Sequence, residues 1–493
     1  MMDRRALLAG VALLPAMPVA AQRAAAPSLA LRQDDQPAAG FERRLLIQWG
    51  DRVAYDAPGF TPERPSLEAA AGQFGWDARV MAAIPSPQAA DGIQRAVLAV
   101  AHPGVDPVMA FPDGRDQPDI AGAMQGISLV NIERRGRVWM VADGGYQTRR
   151  LTARSLCRMG GGGGPVQGVL GVTGGCATPW GSFLLTEGEA APWTRRLAGV
   201  QAAQTGHVVE LDAMEPQSVP VKRTELGGLA ARDIAAALST DGRAVVFLAD
   251  GRAGGFLWRF VSDEPAREAD ALDDGRLYVA RIENGALRWL ALPDDEEAYG
   301  AAARLGATSI GRPMALALDP RGARLCLALH EGPNHPGGYV VEILFAARDP
   351  AADTAVVETL LEGRLPPAER RGRDAVAVPA WPVAPASLAI TPRGVLLLGT
   401  DQTGRGSALP DALYAVPLEG AARGQPSLVY AAPIGAALGG VAVTPDGDSW
   451  MLGVAHPGAG AGGSFAAPRS RWPHFRPSEP ARSALVCLNR QPA

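Results

Sequence analysis

Short apolar runs, each preceded by a tight-turn signal, recur along the chain, whereas helical periodicity is scarce. The apolar runs follow Asp-Gly, Arg-Gly or Pro-Asp-Gly steps, and the glycines of the six clearest steps are Gly136, Gly242, Gly275, Gly322, Gly394 and Gly447. Glycine supplies the positive backbone angle that a tight hairpin turn requires. Each unit is therefore predicted to be a strand, a turn and a second strand.

A strand–turn–strand unit that repeats through a chain indicates a β-propeller. The units are unevenly spaced, so the repeat is degenerate and its blades carry loop insertions, for example at residues 160–164, 366–373 and 458–469. A pair of β-sandwiches is the alternative, although sandwiches rarely reuse one turn signature so often. Because the pattern continues past each insertion, we expect one all-β domain over residues 41–493, preceded by a disordered lead at residues 22–40.

The amino-terminal residues have the features of an export signal. Arg4 and Arg5 precede a short apolar run at residues 6–20, and small residues follow where a signal peptidase would cleave. The paired arginines favour the twin-arginine pathway. We therefore predict a signal peptide at residues 1–21 and a periplasmic or secreted protein. An uncleaved anchor is the alternative, but two prolines interrupt the run and it is too short to span a bilayer.

The overall charge argues against polyanionic partners. The 493 residues include 47 basic and 51 acidic side chains, for a net charge of −4, so neither nucleic acid nor an anionic membrane is an expected partner. No later apolar run is long enough to cross a membrane. The only lysine is Lys222 and the other basic residues are arginines, so a single arginine is weak evidence of function in this chain.

Four widely spaced cysteines carry little metal signal, because no CxxC pattern is present to indicate a zinc ribbon. Cys326 and Cys487 lie in apolar alternating runs and are predicted to belong to strand cores, whereas Cys157 and Cys176 could form a disulfide. Residues 174–189 combine the pair Gly174-Gly175, Cys176 and two glutamates on one segment. This mixture of soft and hard ligands suggests a metal site; a glycine-rich turn with a buried cysteine and solvated glutamates is the alternative.

A collinear set of motifs covers nearly the whole mature chain. It includes Trp49-Gly50-Asp51, the strand Leu129-Val130-Asn131-Ile132-Glu133 and the segment Thr178-Pro179-Trp180-Gly181-Ser182, followed by matches at residues 206–212, 241–262, 277–281, 306–313 and 456–473. Taken together, these segments resemble the PhoX family of secreted alkaline phosphatases. The resemblance implies a six-bladed propeller whose central channel holds calcium and iron and hydrolyses phosphate monoesters. Clustered cations would clamp the phosphoryl group during transfer.

The resemblance also nominates site residues. The carboxylates retained in its best-matched strands are Glu133, Glu187 and Glu210. The predicted metal ligands also include Asp250 and Asp401, which follow apolar strands, and Cys176, which lies just after the glycine pair and not at the family's cysteine position. Carboxylates suit calcium and a thiolate suits iron. Arg312, which could hold phosphate through two hydrogen bonds, and Glu187 are the predicted catalytic residues. The alternatives are a solvated strand face for the glutamates and turn capping for the aspartates. His335 and His456 lie in turns, where a structural role is the more common one.

Several positions depart from the family pattern. Val172-Thr173 occupies the place of Asn-Cys, and residues that are not acidic replace expected acids at Arg232, Gly251, Met314 and Ala459. These changes remove charge that multivalent cations need, so they weigh against retention of the full metal set. Two hypotheses follow. The first is a metal-dependent phosphomonoester hydrolase with a reduced metal site, acting on a small phosphorylated substrate as a monomer; the second is an inactive propeller that binds a ligand or a protein.

Overall fold

Antiparallel strands dominate the computed structural model, which describes residues 28–267, 271–294, 296–332, 334–365, 378–402 and 409–491. The amino-terminal strands are β1 (Ser28–Leu29), β2 (Gln36–Pro37) and β3 (Phe41–Gln48). The first blade contains β4 (Arg79–Pro85), β5 (Arg95–His102), β6 (Gly126–Arg135), β7 (Val138–Val141) and β8 (Arg149–Leu151). The second contains β9 (Leu156–Met159), β10 (Pro165–Gln167), β11 (Gly174–Ala177), β12 (Ser182–Thr186), β13 (Val208–Asp212) and β14 (Val221–Arg223).

The third and fourth blades share one continuous sheet, because β19 pairs with β23. The third contains β15 (Asp233–Leu238), β16 (Arg243–Ala249), β17 (Leu257–Pro265), β18 (Gly275–Glu283) and β19 (Ala286–Ala291). The fourth contains β20 (Pro313–Leu318), β21 (Arg324–Leu329), β22 (Tyr339–Phe345) and β23 (Thr354–Glu362). Between them, Phe247 and Phe345 stack with ring centroids 5.3 Å apart. Apolar side chains from neighbouring blades thus form the core.

The last two blades are completed by amino-terminal strands. The strands of this part of the chain are β24 (Val378–Pro379), which pairs with β1, then β25 (Pro385–Ile390), β26 (Val395–Thr400), β27 (Ala412–Pro417), β28 (Ser427–Ala431), β29 (Ala437–Val443), β30 (Ser449–Ala455) and β31 (Ala484–Arg490). Strand β2 adds to β28 in the fifth blade, and β3 adds to β31 in the sixth. The chain therefore closes by pairing its first strands with its last.

The innermost strands of the six described blades, β4, β11, β15, β20, β25 and β29, contact one another in sequence, and β29 returns to β4. This closed ring confirms the β-propeller fold. Five of the six predicted turn glycines are confirmed: Gly136, Gly242, Gly322, Gly394 and Gly447 each have a φ between 62° and 88°. The prediction for Gly275 is wrong, because this residue has no positive φ and is the first residue of β18. Such angles are favourable for glycine alone.

One boundary prediction needs correction. The signal peptide lies outside the described residues, but residues 28–40 of the predicted disordered lead are structured. Asp35 is buried and accepts hydrogen bonds from Arg43 at 2.6 and 2.8 Å. The indole of Trp472 donates to the same carboxylate at 2.9 Å. The lead is therefore held by a buried charge pair, which a composition-based reading of disorder does not detect.

Helices are short and lie in the connections between strands. They are α1 (Leu67–Gly72), α2 (Pro107–Ala110), α3 (Pro118–Met124), α4 (Ala190–Arg196) and α5 (Ala298–Leu305), with 3-10 turns at Ala202–Gln204, Thr224–Leu226 and Ala346–Arg348. Each described helix is too short to cross a lipid bilayer. The four cysteines are all free, so the open possibility of a Cys157–Cys176 disulfide is not realised, whereas Cys326 and Cys487 lie buried in β21 and β31 as predicted.

Candidate functional site

The axial channel has a polar end and an apolar end. The polar end widens into a cleft of about 1160 Å³, which we call the axial cleft. Its charged lining residues are Arg79, Arg232, Arg252, Arg312, Arg469, Asp77, Glu189, Glu297 and Asp401. The opposite end, of about 620 Å³, is lined mainly by apolar residues near the far ends of the inner strands, such as Met81 and Leu316. Charged chemistry on the axis is therefore concentrated at one end.

The inner strands begin at the polar end of the channel, so a side chain at the start of such a strand can lie in the axial cleft. Arg79 is the first residue of β4, Arg232 immediately precedes β15, and Arg312 immediately precedes β20. Strand β11 lies between β4 and β15 and consists largely of small residues. A Cβ atom on Gly174 would lie 2.5 Å from the carbonyl oxygen of Arg232, and one on Gly175 would lie 3.3 Å from the Cβ of Met81. The glycine pair thus allows the neighbouring blades to approach closely.

Arg79, Arg232 and Glu189 form a charged group in the axial cleft. The Arg232 side chain is 12% exposed, and its guanidinium donates a short hydrogen bond to Glu189. Burial and the like charge of Arg79 lower the pKa of Arg232. Burial acts to raise the pKa of Glu189, but Arg232 and Arg79 outweigh it and the pKa falls. Glu189 is therefore ionised, and the Asp401 carboxylate also acts on this group.

Arg312 and Arg252 lie on the same side of the axial cleft. Arg312 Nε donates to the carbonyl oxygen of Gly251 at 3.3 Å, which leaves the terminal amino groups to face the cleft. Arg252 contacts the ring of Tyr299, with its Cζ 3.4 Å from the ring centroid. The Asp250 carboxylate accepts hydrogen bonds from the backbone and Nε of Arg252, both at 3.1 Å. Asp250 therefore orients an arginine and has the geometry of a turn cap.

Two further predicted residues reach the axial cleft. Asp401 lines it, and its Oδ2 lies 3.7 Å from Nε2 of His330. His456 also lines the cleft, where its ring stacks on Trp76 and its Nδ1 lies 3.3 Å from the carbonyl oxygen of Gly435. His335 instead lies beside Tyr339 and Glu362, away from the cleft lining. Of the predicted metal ligands, Asp401 is therefore the one whose side chain reaches this cleft.

Glu187 does not face the axial cleft, although the sequence nominated it as both ligand and catalytic residue. Its side chain and that of Lys222 are both 0% exposed, and Lys222 Nζ lies 2.9 and 3.1 Å from the two carboxylate oxygens. Backbone N–H groups of Leu170 and Gly206 donate to the same oxygens at 3.0 and 3.1 Å. A carboxylate enclosed in this way cannot contact a substrate. The structure therefore places Glu187 in a buried ion pair with Lys222, and not in the predicted catalytic position.

The other predicted ligands are also dispersed. Glu133 pairs with Arg135 at 2.7 Å and with Arg95 at 3.5 Å in the first blade. Glu210 accepts from Trp180 Nε1 at 3.0 Å and from Ser182 Oγ at 2.7 Å, and pairs with Arg223 at 2.6 Å, in the second.

Cys176 lines the apolar end of the channel, and burial together with the nearby Asp233 carboxyl raises the pKa of its thiol. A protonated thiol is a poor metal ligand, because it is the thiolate that binds metal. The expected convergence of these carboxylates and this thiolate is therefore corrected: basic partners or apolar surroundings hold each in its own place.

The donor set does not fit the calcium and iron implied by the resemblance. Nowhere in the described part of the chain do three or more His, Cys, Asp or Glu side chains come together in a metal-binding arrangement. The four positions where expected acids are replaced, Arg232, Gly251, Met314 and Ala459, all line the axial cleft, whereas Val172 and Thr173 are not among its lining residues. A multivalent cation needs several oxygen ligands at short distance. At these four positions a guanidinium and three uncharged residues replace acids, and the carboxylates that do line the cleft form no group of three among the described residues.

We did not predict from the sequence that Arg79 and Arg232 lie close together in the axial cleft. In the sequence, Arg232 was noted only as a position where an acidic residue is replaced. Nothing distinguished Arg79 from the many other arginines. The useful signal was positional, since both residues lie at the beginning of an apolar inner strand. Glu189, two residues beyond the expected Glu187, is the glutamate of this segment that lines the axial cleft.

The comparison with one solved structure supports this architecture. The chain is similar over 94% of its length, and over 97% of that protein's, to the structure of Pseudomonas fluorescens PhoX in complex with vanadate, with 22% identity and a TM-score of 0.81. A protein of unknown function from Dyadobacter fermentans aligns with 9% identity and a TM-score of 0.42, covering 92% of this chain and 100% of that one. No curated protein matches the sequence. The family model described as alkaline phosphatase PhoX matches residues 27–458. The chain therefore belongs to the PhoX family of alkaline phosphatases.

Proposed function

We propose that the protein is an exported phosphatase that binds a small phosphomonoester in the axial cleft. Family membership supports a phosphatase-like activity. The observation that carries the proposal is the cleft itself: it encloses about 1160 Å³ and is lined by five arginines in a chain whose net charge is −4. This volume is of the size that small-molecule sites have. Guanidinium groups bind the oxygens of phosphate through charge-assisted, often paired, hydrogen bonds.

Arg312 is the arginine that we assign to the phosphoryl group. Its Nε is held by the Gly251 carbonyl oxygen, and no ion pair with a described residue neutralises its charge. A fixed cation directed at a transferring phosphoryl group stabilises the charge that develops there. The proposal retains the phosphomonoester substrate and assigns no step to calcium or iron, because the cleft does not contain their donor set.

Export is part of the proposal. It is supported by the Arg4-Arg5 pair and the apolar run at residues 6–20, which lie outside the described residues. The test is the fate of the full-length chain in a host with a functional twin-arginine pathway. Accumulation of the mature protein in the periplasm, lost when both arginines are changed to lysine, would support this assignment.

A second candidate function has an observation in its favour. The described carboxylates form no metal-binding group, and the described lining of the axial cleft contains no serine, threonine or cysteine. A propeller that binds a phosphorylated molecule without hydrolysing it would need only the arginines. This reading differs from the phosphatase in predicting binding without turnover.

The deciding experiment is hydrolysis of p-nitrophenyl phosphate by the purified mature protein, with EDTA and separately with added calcium and iron. We expect turnover, and we expect Arg312→Ala to lower kcat/KM at least about 100-fold, because it removes a fixed charge from the reacting group. Arg281→Ala is the matched control, since Arg281 is exposed, pairs with Glu283 and lies outside the cleft lining. Absence of turnover under both conditions, with binding of phosphate retained, would reject the phosphatase and leave the binding protein.

A further inference from the structure

Among the described residues that line the axial cleft, Arg79 has a guanidinium whose Nε is buried and left without a partner. Among the described residues, Arg79 makes no side-chain hydrogen bond and no ion pair, and its Nε atom is buried without a partner. A buried polar atom of this kind normally has a hydrogen-bond acceptor. Arg79 nevertheless lies at the start of a rigid inner strand, where its position is set by the ring of blades.

The surroundings of Arg79 make its free charge unfavourable. It lies near Arg232, whose pKa its positive charge helps to lower, and the nearby Glu189 is already bonded to Arg232. The Asp401 carboxylate also acts on Arg232, yet among the described residues no carboxylate forms an ion pair with Arg79. A second anion between them would remove the repulsion and supply the missing acceptor.

We propose that Arg79 and Arg232 form an oxyanion site that holds the phosphate group of the ligand directly, in the absence of any metal ion. This inference rests on the proposed function for its location and goes beyond it in assigning the anion-binding residues. The ligand class is a tetrahedral dianion, either free phosphate or a phosphomonoester. Glu189 is a positioning residue, because it fixes the Arg232 guanidinium through an ion pair.

Replacing Arg79 should affect stability and anion binding differently. A residue that served only the fold would lower stability when it is replaced. Arg79 makes no described hydrogen bond or ion pair, and its repulsion of Arg232 offsets its attraction to Glu189, so its removal should leave the free protein about as stable. The same change should weaken anion binding. A loss of anion affinity without a loss of stability is expected of a binding residue, whereas replacing a structural residue would lower stability.

The test is isothermal titration of the purified full-length mature protein with inorganic phosphate after exhaustive dialysis against EDTA. We expect phosphate to bind with the same affinity before and after readdition of calcium and iron. Arg79→Gln should weaken binding at least about tenfold, because it removes a charge-assisted pair of hydrogen bonds. Its melting temperature should not fall. Arg281→Gln, on the exposed pair with Glu283, should change neither quantity.

Two results would overturn the site. Phosphate binding that disappears in EDTA and returns with calcium would show that a metal holds the anion. Unchanged affinity in Arg79→Gln would show that Arg79 does not contact it. Titration with p-nitrophenyl phosphate in a parallel cell distinguishes the ester from the free anion. If phosphate binds as predicted but no ester is hydrolysed, the oxyanion site stands and the phosphatase is rejected, so the two proposals fail separately.

Discussion

Replacing Lys222 with alanine should lower the free energy of unfolding by about 3–5 kcal/mol, because it leaves a buried carboxylate without its cation. Lys222 and Glu187 are both 0% exposed, and the ammonium contacts both carboxylate oxygens. Lys222 also donates to the carbonyl oxygen of Gln204 at 2.7 Å, so the change frees a second buried acceptor. Urea denaturation of the purified variant at neutral pH measures the loss.

The double variant Lys222→Met with Glu187→Gln is the sharpest control for this prediction. It removes both charges and keeps side chains of similar length, and replacing a buried ion pair by neutral groups is often tolerated. We expect it to recover most of the stability that the single change loses. Arg281→Ala, which breaks the exposed pair with Glu283, should cost about 1 kcal/mol or less. A loss in Lys222→Ala no larger than this would contradict the buried pair.

Replacing Gly453 with alanine should lower the free energy of unfolding by about 3 kcal/mol, the upper end of the cost of overpacking. Gly453 lies in β30, and an added Cβ would be 2.1 Å from the carbonyl oxygen of Ala78 and 2.4 Å from that of Gly439. Both contacts are with backbone, so no side chain can rotate away. Ala78 directly precedes Arg79, and the same change should therefore weaken phosphate binding.

Gly59→Ala is the matched control for this substitution. A Cβ on Gly59 would meet nothing within 4 Å, and its φ lies outside the left-handed region. The free energy of unfolding of this variant should stay within about 1 kcal/mol of that of the parent. We expect a small gain in stability, because alanine reduces the conformational freedom of the unfolded chain. Equal stability for the two variants would contradict the close approach of the first and sixth blades at Gly453.

The fold was accessible from sequence because its signal is local. Each hairpin has its turn glycine and its apolar strand within about ten residues, so Gly242 and Gly394 could be interpreted without knowledge of the rest of the chain. Ring closure was not accessible in the same way. The pairing of β3 with β31 joins strands that are far apart in the sequence, and the sequence of neither strand indicates which strand it pairs with.

The site was less predictable, because the fate of a carboxylate depends on its long-range neighbours. Glu187 has the local setting of a functional residue, yet its partner Lys222 lies on another strand of the same blade. Glu210 likewise meets Arg223. Local patterning shows which way a strand residue points but not which cation it meets. Arg79 is the converse case, a residue with an ordinary local setting that the ring of blades places on the axis.

The most direct test of the central claim is a crystal structure of the protein grown with EDTA and orthovanadate. The account predicts a tetrahedral or trigonal oxyanion in the axial cleft, within hydrogen-bond distance of the guanidinium groups of Arg79 and Arg232, with no metal ion beside it. An oxyanion held by metal ions on carboxylates, or bound elsewhere while the cleft contains only water, would contradict it.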